Sequence, residues 1–278
     1  MNLISINDPD DPRIAAFRDI RERDLTGRQG LFVAEGTVVL RVLTSPASRC
    51  GVEAVLIDSK RIEAHADILS GLAADAPVYA ASQGVIDAVA GFHLHRGVLA
   101  LGRRPSPLTL EALGQPSADT TVVVASGVGN HDNMGGIFRN AAAFGARAVV
   151  LDALCCDPFY RKAIRVSVGA VLRTPIVAGG SATDLIDQLH LRGFDVVAMT
   201  PSAVEPLHLA RRRGPTAILL GSEGPGLPGP VIARCRPVSI PMSGGFDSLN
   251  VATTAALALN HFTRAEATDL RSPDRHPA

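Results

Sequence analysis

The chain has 278 residues, enough for about two domains. Its 27 basic residues are balanced by 27 acidic ones, so a nucleic-acid role would rest on a local basic patch and not on overall charge. With 46% hydrophobic residues, no tryptophan and few aromatics, the cores must be built from Ala, Val, Leu and Ile.

The N-terminal half alternates short strands and helices. A charged helix is expected over residues 12–27, then a strand in LFVAEG ending at Gly36 and a helix over 37–43. Strands follow at VEAVLI, PVYA and RGVLALG, with helices over 62–72 and 83–90. Residues 102–120 are rich in Pro, Ser and Gly and read as a linker, with the domain cut near 105–108. The second half restarts with the buried-strand run TVVVASG and continues through AVVLDA, PIVAG, DVVAM, AILLG and PVSIP. Helices fit residues 136–144, 160–168, 182–191, 230–234 and 248–263. The tail after Thr268 is expected to be disordered. The alternation predicts an α/β fold with sheets covered on their faces.

The four cysteines, Cys50, Cys155, Cys156 and Cys235, form no C-x-x-C pair and have no histidine at ligand spacing. That argues against a metal site and for free thiols in a reducing compartment. The first residues are acidic and lack the apolar core of a signal peptide, and no apolar run is long enough to span a bilayer. A cytoplasmic protein without metal or membrane is expected.

Several nucleotide-site signatures fail. VVVASGVGN with Asp152 further on imitates a dinucleotide fingerprint, but after Gly127 and Gly129 the third glycine position is Asp132, and a polar NHDN stretch stands where the helix should begin. There is no G-K-[ST] for a phosphate loop and no G-x-S-x-G elbow.

Three motifs occur in fixed order in the second half. Asn133, Gly135 and Arg139 form N-x-G-x-x-x-R; Gly221, Glu223, Gly224 and Gly226 form G-x-E-G-x-G; Ile240, Pro241 and Met242 with Ser248, Leu249, Asn250 and Val251 form I-P-M…S-L-N-V. In this combination, over about residues 121–262, the chain resembles the SpoU (TrmH) family of the SPOUT methyltransferase superfamily. Phe32–Gly36, F-x-A-E-G, also resembles the family's ribosomal-protein-like substrate-binding domain. Two positions depart from the family pattern: His131 stands where the family usually has Pro, and Ala252 where it often has Ser.

The resemblance implies an N-terminal α/β/α substrate-binding domain over residues 1–105 and a trefoil-knotted α/β methyltransferase domain with a parallel sheet over 106–268. It also implies a homodimer and S-adenosyl-L-methionine as cofactor. The expected activity is methylation of a ribose 2′-hydroxyl in rRNA or tRNA. Base methylation by a SPOUT relative and a non-catalytic RNA-binding or assembly factor are the alternatives; S-L-N argues against the first, and Asn133, Arg139 and Glu223 against the second.

Methyl transfer is an in-line displacement that needs two substrates held in line and one proton removed. Thr200, Leu220, Gly221, Gly224, Ile240, Met242 and Leu249 are expected to hold the cofactor, the glycines permitting close backbone approach. Asn133, Arg139, Glu223, Ser248 and Asn250 are the candidate catalytic residues. Arg139 either deprotonates the 2′-hydroxyl or holds the adjacent phosphate and polarises that oxygen; a guanidinium is a poor base. Asn133 at the helix entry and Ser248 at the start of the last helix are equally ordinary capping residues. For the RNA backbone the candidates are Arg13, Arg18, Arg21 and Arg28, in a segment that also holds Arg23, together with Lys162 and Arg165. His93, His95 and Arg96 form a further loop of that kind.

Overall fold

Two sheets organise the chain in the computed structural model, which describes residues 2–18, 30–91, 93–94, 97–244 and 247–263. The first contains β1 (Asn2–Ile6), β2 (Leu31–Glu35), β3 (Gly51–Asp58), β4 (Pro77–Ala81) and β5 (Val98–Arg103), in the order β1-β4-β3-β5-β2. β1, β4 and β3 run parallel, and β5 is antiparallel to both β3 and β2. Helices α1 (Thr37–Leu43), α2 (Ala66–Leu69) and α3 (Gln83–Ala90) connect them. The helix expected over 62–72 is broken into 3-10 turns and the four-residue α2. That expected over 12–27 begins as a 3-10 turn over Pro12–Phe17; Arg21, Arg23 and Arg28 lie outside the described residues, as do His95, Arg96 and the tail after Thr268.

The second sheet contains β6 (Thr121–Ala125), β7 (Ala148–Leu151), β8 (Ile176–Ala178), β9 (Asp195–Met199), β10 (Thr216–Leu220) and β11 (Arg236–Val238). Its order is β11-β9-β10-β6-β7-β8, and every pairing is parallel. Parallel strands need helices on both faces. Along β6, Val122 and Val124 pack to one side with Leu185, Ile186 and Leu189 of α6 (Ala182–Leu191). Val123 and Ala125 pack to the other with α4 (His131–Ala143), α5 (Arg161–Val166) and α8 (Val251–Thr263). A short α7 (Gly229–Ile232) completes the helices.

This second apolar cluster continues into the first half. Phe32 packs on Phe159 with ring centroids 5.3 Å apart, and Arg104 lies over the Phe159 ring while its guanidinium donates to Asp157 at 2.9 Å. The stretch read as a linker is packed: Leu110 is buried, and Leu108 forms a β-bridge to Val177. Glu35, from F-x-A-E-G, sits 3.6 Å from Arg165 and 3.9 Å from Arg161 on α5.

Helix α4 starts earlier than expected. Asn130 caps it by accepting from the amides of Asp132 and Asn133, so NHDN is the first turn and not a loop. Two adjacent glycines then let α4 be gripped from two sides. A Cβ on Gly135 would lie 2.7 Å from the Ala163 carbonyl and 2.7 Å from Val166 Cβ of α5, and one on Gly136 would lie 2.6 Å from Ala252 Cβ of α8. Gly135→Ala must therefore push backbone against backbone, a destabilisation of about 2–3 kcal/mol by urea unfolding, whereas Gly145→Ala, where a Cβ would meet nothing within 4 Å, should cost no more than about 1 kcal/mol, from its left-handed backbone alone.

Candidate active site

The C-terminal ends of β9, β10 and β11 open onto a cleft of about 540 Å³. Ligands of open α/β sheets lie at this edge. β9 leads into Thr200, Pro201 and Ser202; β10 ends at Leu220 and runs into the glycine loop 221–227; β11 leads to Ile240 and Met242. Ser248, Leu249 and Asn250 close the cleft ahead of α8. All seven residues expected to hold a cofactor thus lie on its walls.

The glycine loop is shaped by its own backbone. A Cβ on Gly221 would meet the Leu227 amide nitrogen at 2.7 Å, so only glycine permits this tight return. Ser222 and Gly226 bridge across the loop, and the Ser222 hydroxyl donates to the Gly226 carbonyl at 3.3 Å. Gly224 and Gly226 adopt φ of 86° and 67°, with open space where a Cβ would stand. The loop is therefore a bare backbone cradle, which fits the close approach of a flat, apolar-faced ligand such as an adenosine, between the side chains of Leu220, Leu227 and Ile240.

At the cleft rim the three motifs meet. Asn250 Nδ2 donates to Asn133 Oδ1 at 2.8 Å and to Glu223 Oε1 at 3.3 Å. Asn250 Oδ1 accepts from the amides of Ala252 and Thr253 at 2.9 and 3.3 Å. The last helix accordingly begins at Val251 with Asn250 as its cap; Ser248, expected to start it, lies on the exposed approach to it. Asn133 is buried, with 6% of its surface exposed, and Glu223 is exposed.

Arg139 stands apart. It is six residues beyond Asn133 on α4, exposed, outside the lining of this cleft, and makes no hydrogen bond or ion pair among the described residues. Its neighbour Asn140 faces the site helix instead, donating to the Ala252 carbonyl at 2.7 Å. The described RNA-backbone candidates all have carboxylate partners within the chain. Arg13 pairs with Asp11 and Arg18 with Asp10, each at 2.6 Å; Lys162 pairs with Asp132 at 2.6 Å and Arg165 with Glu35. Of the loop histidines, His93 pairs with Asp87 at 2.7 Å.

Sequence reasoning did not find Ser202, Ser222, Thr254 or Asn140. The first three are short polar residues whose place on the walls follows only from the strand ends, and Asn140 carries the one readable signal, seven residues or two turns from Asn133 on the same helix face. The thiols offer no nucleophile: burial pushes Cys50 and Cys155 up to about 12 and Cys156 and Cys235 up to about 11, so they stay protonated at neutral pH. Among the described residues, no group of three or more His, Cys, Asp or Glu is placed to hold a metal ion, and no helix is long and apolar enough to cross a membrane.

Residues 120–260 match the SpoU rRNA Methylase family. Uncharacterized tRNA/rRNA methyltransferases of Mycobacterium bovis and Mycobacterium tuberculosis are each 40% identical to this chain, over 95% of it and 93% of their own length. A crystal structure of an RNA 2′-O ribose methyltransferase is 29% identical, superposes with a TM-score of 0.75, and is covered over 98% of its length by 93% of this chain. The AdoMet-bound rRNA methyltransferase of Sinorhizobium meliloti, 22% identical, has the same fold with a TM-score of 0.81, over 94% of this chain and 97% of its own. The chain belongs to the SpoU methyltransferase family.

Asn250 invites a test that separates capping from site chemistry. Asn250→Asp keeps an acceptor for the α8 amides but loses both donated hydrogen bonds and sets a second carboxylate beside Glu223, so it should cost about 1–2 kcal/mol while methylation collapses; Asn250→Ala should lose the cap, about 1 kcal/mol, as well as the donated bonds. Thermal unfolding beside a methyl-transfer assay measures both; an active Asn250→Asp protein would show that the amide donor is dispensable.

Proposed function

We propose that this protein transfers a methyl group from S-adenosylmethionine to a ribose 2′-hydroxyl of rRNA or tRNA. The observation that carries this reading is the Asn133–Asn250–Glu223 chain at the rim of a glycine-lined cleft, in a chain of the SpoU family. It is an RNA methyltransferase whose cofactor is S-adenosylmethionine. The likeness to an RNA 2′-O ribose methyltransferase supports the ribose as acceptor.

The cofactor supplies an electrophilic methyl on a sulfonium. The cradle of residues 221–227 and the walls at Thr200 and Ile240 would hold it and would exclude water from one side. Asn250 locks Asn133 and Glu223 in one arrangement, leaving the second Glu223 oxygen and the Asn133 amide N–H groups for the incoming nucleotide. Such preorganisation would hold the ribose hydroxyl in one orientation at the rim. Arg139 would grip the neighbouring phosphate with its planar fork and polarise the 2′-oxygen, whose proton passes to solvent water at the exposed rim. The family resemblance implies a homodimer in which Arg139 acts in the cleft of the second subunit, and its exposed position outside its own cleft supports that. The knotted path, formed by the last strands and helix, belongs to this reading. So does a division of labour in which residues 1–105 carry RNA recognition and 106–268 the transfer.

Three results test it. Calorimetry should show binding of S-adenosylmethionine and not of NAD; the reverse would overturn the cofactor assignment. Mapping the product on rRNA and tRNA transcripts should place the methyl on a ribose, and a methylated base would sink that part. Arg139→Ala should abolish turnover with cofactor affinity nearly intact, since it removes an interaction made mainly in the transition state. Mixed with Asn250→Ala subunits, it should regain activity toward half of wild type per heterodimer, because one composite site then carries neither lesion. A silent mixture of verified heterodimers would refute the cross-subunit role.

A further inference from the structure

Outside the catalytic rim, a heavily engaged buried charge in the second half is Arg236, the first residue of β11. Its side chain is only 9% exposed. Nε donates to Glu205 Oε2 at 2.8 Å and Nη2 to Glu205 Oε1; Nη1 donates to Asp195 Oδ2 at 3.0 Å and to the Arg211 carbonyl at 2.8 Å. The contact with Glu205 is a two-pronged fork, the strongest and most directional ion pair available to an arginine. It raises the pKa of Arg236 and lowers that of Glu205.

The partners belong to one connection. Asp195 opens β9; Glu205 and Arg211 lie in the segment between β9 and β10, which begins with the cleft wall Thr200, Pro201 and Ser202. That segment is also laced to β11 through the backbone. Thr200 N donates to Val238 O at 3.0 Å, Ser239 N to Glu205 O at 2.9 Å, and Leu207 N to Ser239 O at 2.7 Å. β11 itself runs out into Ile240 and Met242, which also line the cleft. One guanidinium thus ties the chain that forms one wall to the strand that forms the other.

We infer that Arg236 is a positioning residue for the cofactor: its fork on Glu205 and its bond to Arg211 fix the separation of the Thr200–Ser202 wall from the Ile240–Met242 wall. Arg236 touches no lining atom and acts through the segment it holds. The consequence is selective. Loosening the fork widens the cofactor cleft and leaves the Asn133–Asn250–Glu223 rim, built on α4, α8 and the glycine loop, in place. Lysine keeps the charge but has no planar fork, so it cannot satisfy Glu205, Asp195 and the Arg211 carbonyl together.

The inference rests on the S-adenosylmethionine reading of the cleft, and the experiment separates the two. Full-length wild type, Arg236→Lys and Glu205→Gln are compared by steady-state kinetics with each substrate varied, by calorimetry with S-adenosylmethionine, and by thermal unfolding. Arg236→Lys should raise KM and Kd for the cofactor about tenfold or more, with the KM for RNA unchanged and kcat within about threefold of wild type. Glu205→Gln, at a partly exposed position and milder, should raise the same two constants about threefold and serves if the lysine variant does not fold. Wild-type protein that binds no S-adenosylmethionine would overturn the cofactor reading and the inference with it. Wild type that binds, beside variants with a lowered melting temperature but unchanged cofactor KM, would overturn the inference alone.

Discussion

The amide of Asn250 has two ends, and the site is organised around both. Its oxygen satisfies two of the orphan amides that open α8. Its nitrogen ties Asn133 on α4 and Glu223 in the glycine loop to the same point. A helix start is among the better defined backbone positions in a protein, because the cap fixes both the entry direction and the first turn. Placing the bridging amide there gives three sequence-distant motifs one rigid reference. An asparagine supplies an acceptor to the helix and two donors to the rim from separate atoms of one short side chain.

That reference is only as good as the fit between α4 and α8. The glycine pair at 135 and 136 removes the side chains that would hold α5 and α8 away, and Asn140 stitches α4 to the Ala252 carbonyl two turns below Asn133. Ala252 is one of the positions where the chain departs from the family pattern. Its methyl occupies the space beside Gly136, where the longer Ser side chain would have to find room. The other departure, His131, stacks on Tyr160 with centroids 4.4 Å apart, so the two helices α4 and α5 meet through an aromatic contact at their N-terminal ends.

The sequence spoke clearly where one residue type had one physical reason to be there. TVVVA reads as a buried strand because both faces are covered, and the structure divides its valines between two apolar layers. The walls of the cleft were equally legible, since G-x-E-G-x-G and I-P-M follow directly on strands. Helix starts were not. NHDN looks like a loop because capping residues and loop residues are the same polar set, and only the hydrogen bonds of Asn130 distinguish them. Ser248 and Asn250 both stand where the last helix starts in the sequence, and only the hydrogen bonds single out Asn250 as the cap. Arg236 was invisible: an arginine at a strand end reads as surface, and its partners at 195, 205 and 211 are assembled only by the fold.

The internal pairing of the surface cations changes what electrostatics can contribute to RNA capture. Arg13, Arg18, Lys162 and Arg165 each already face a carboxylate of their own chain. A phosphate arriving at any of them replaces an attached anion and must leave that carboxylate to recruit a counterion from solution. The small ions that RNA sheds on binding are then partly recaptured at the protein surface, which reduces the net ion release that drives association. If RNA meets these four side chains, its encounter with them is less sensitive to ionic strength than their charges alone would suggest.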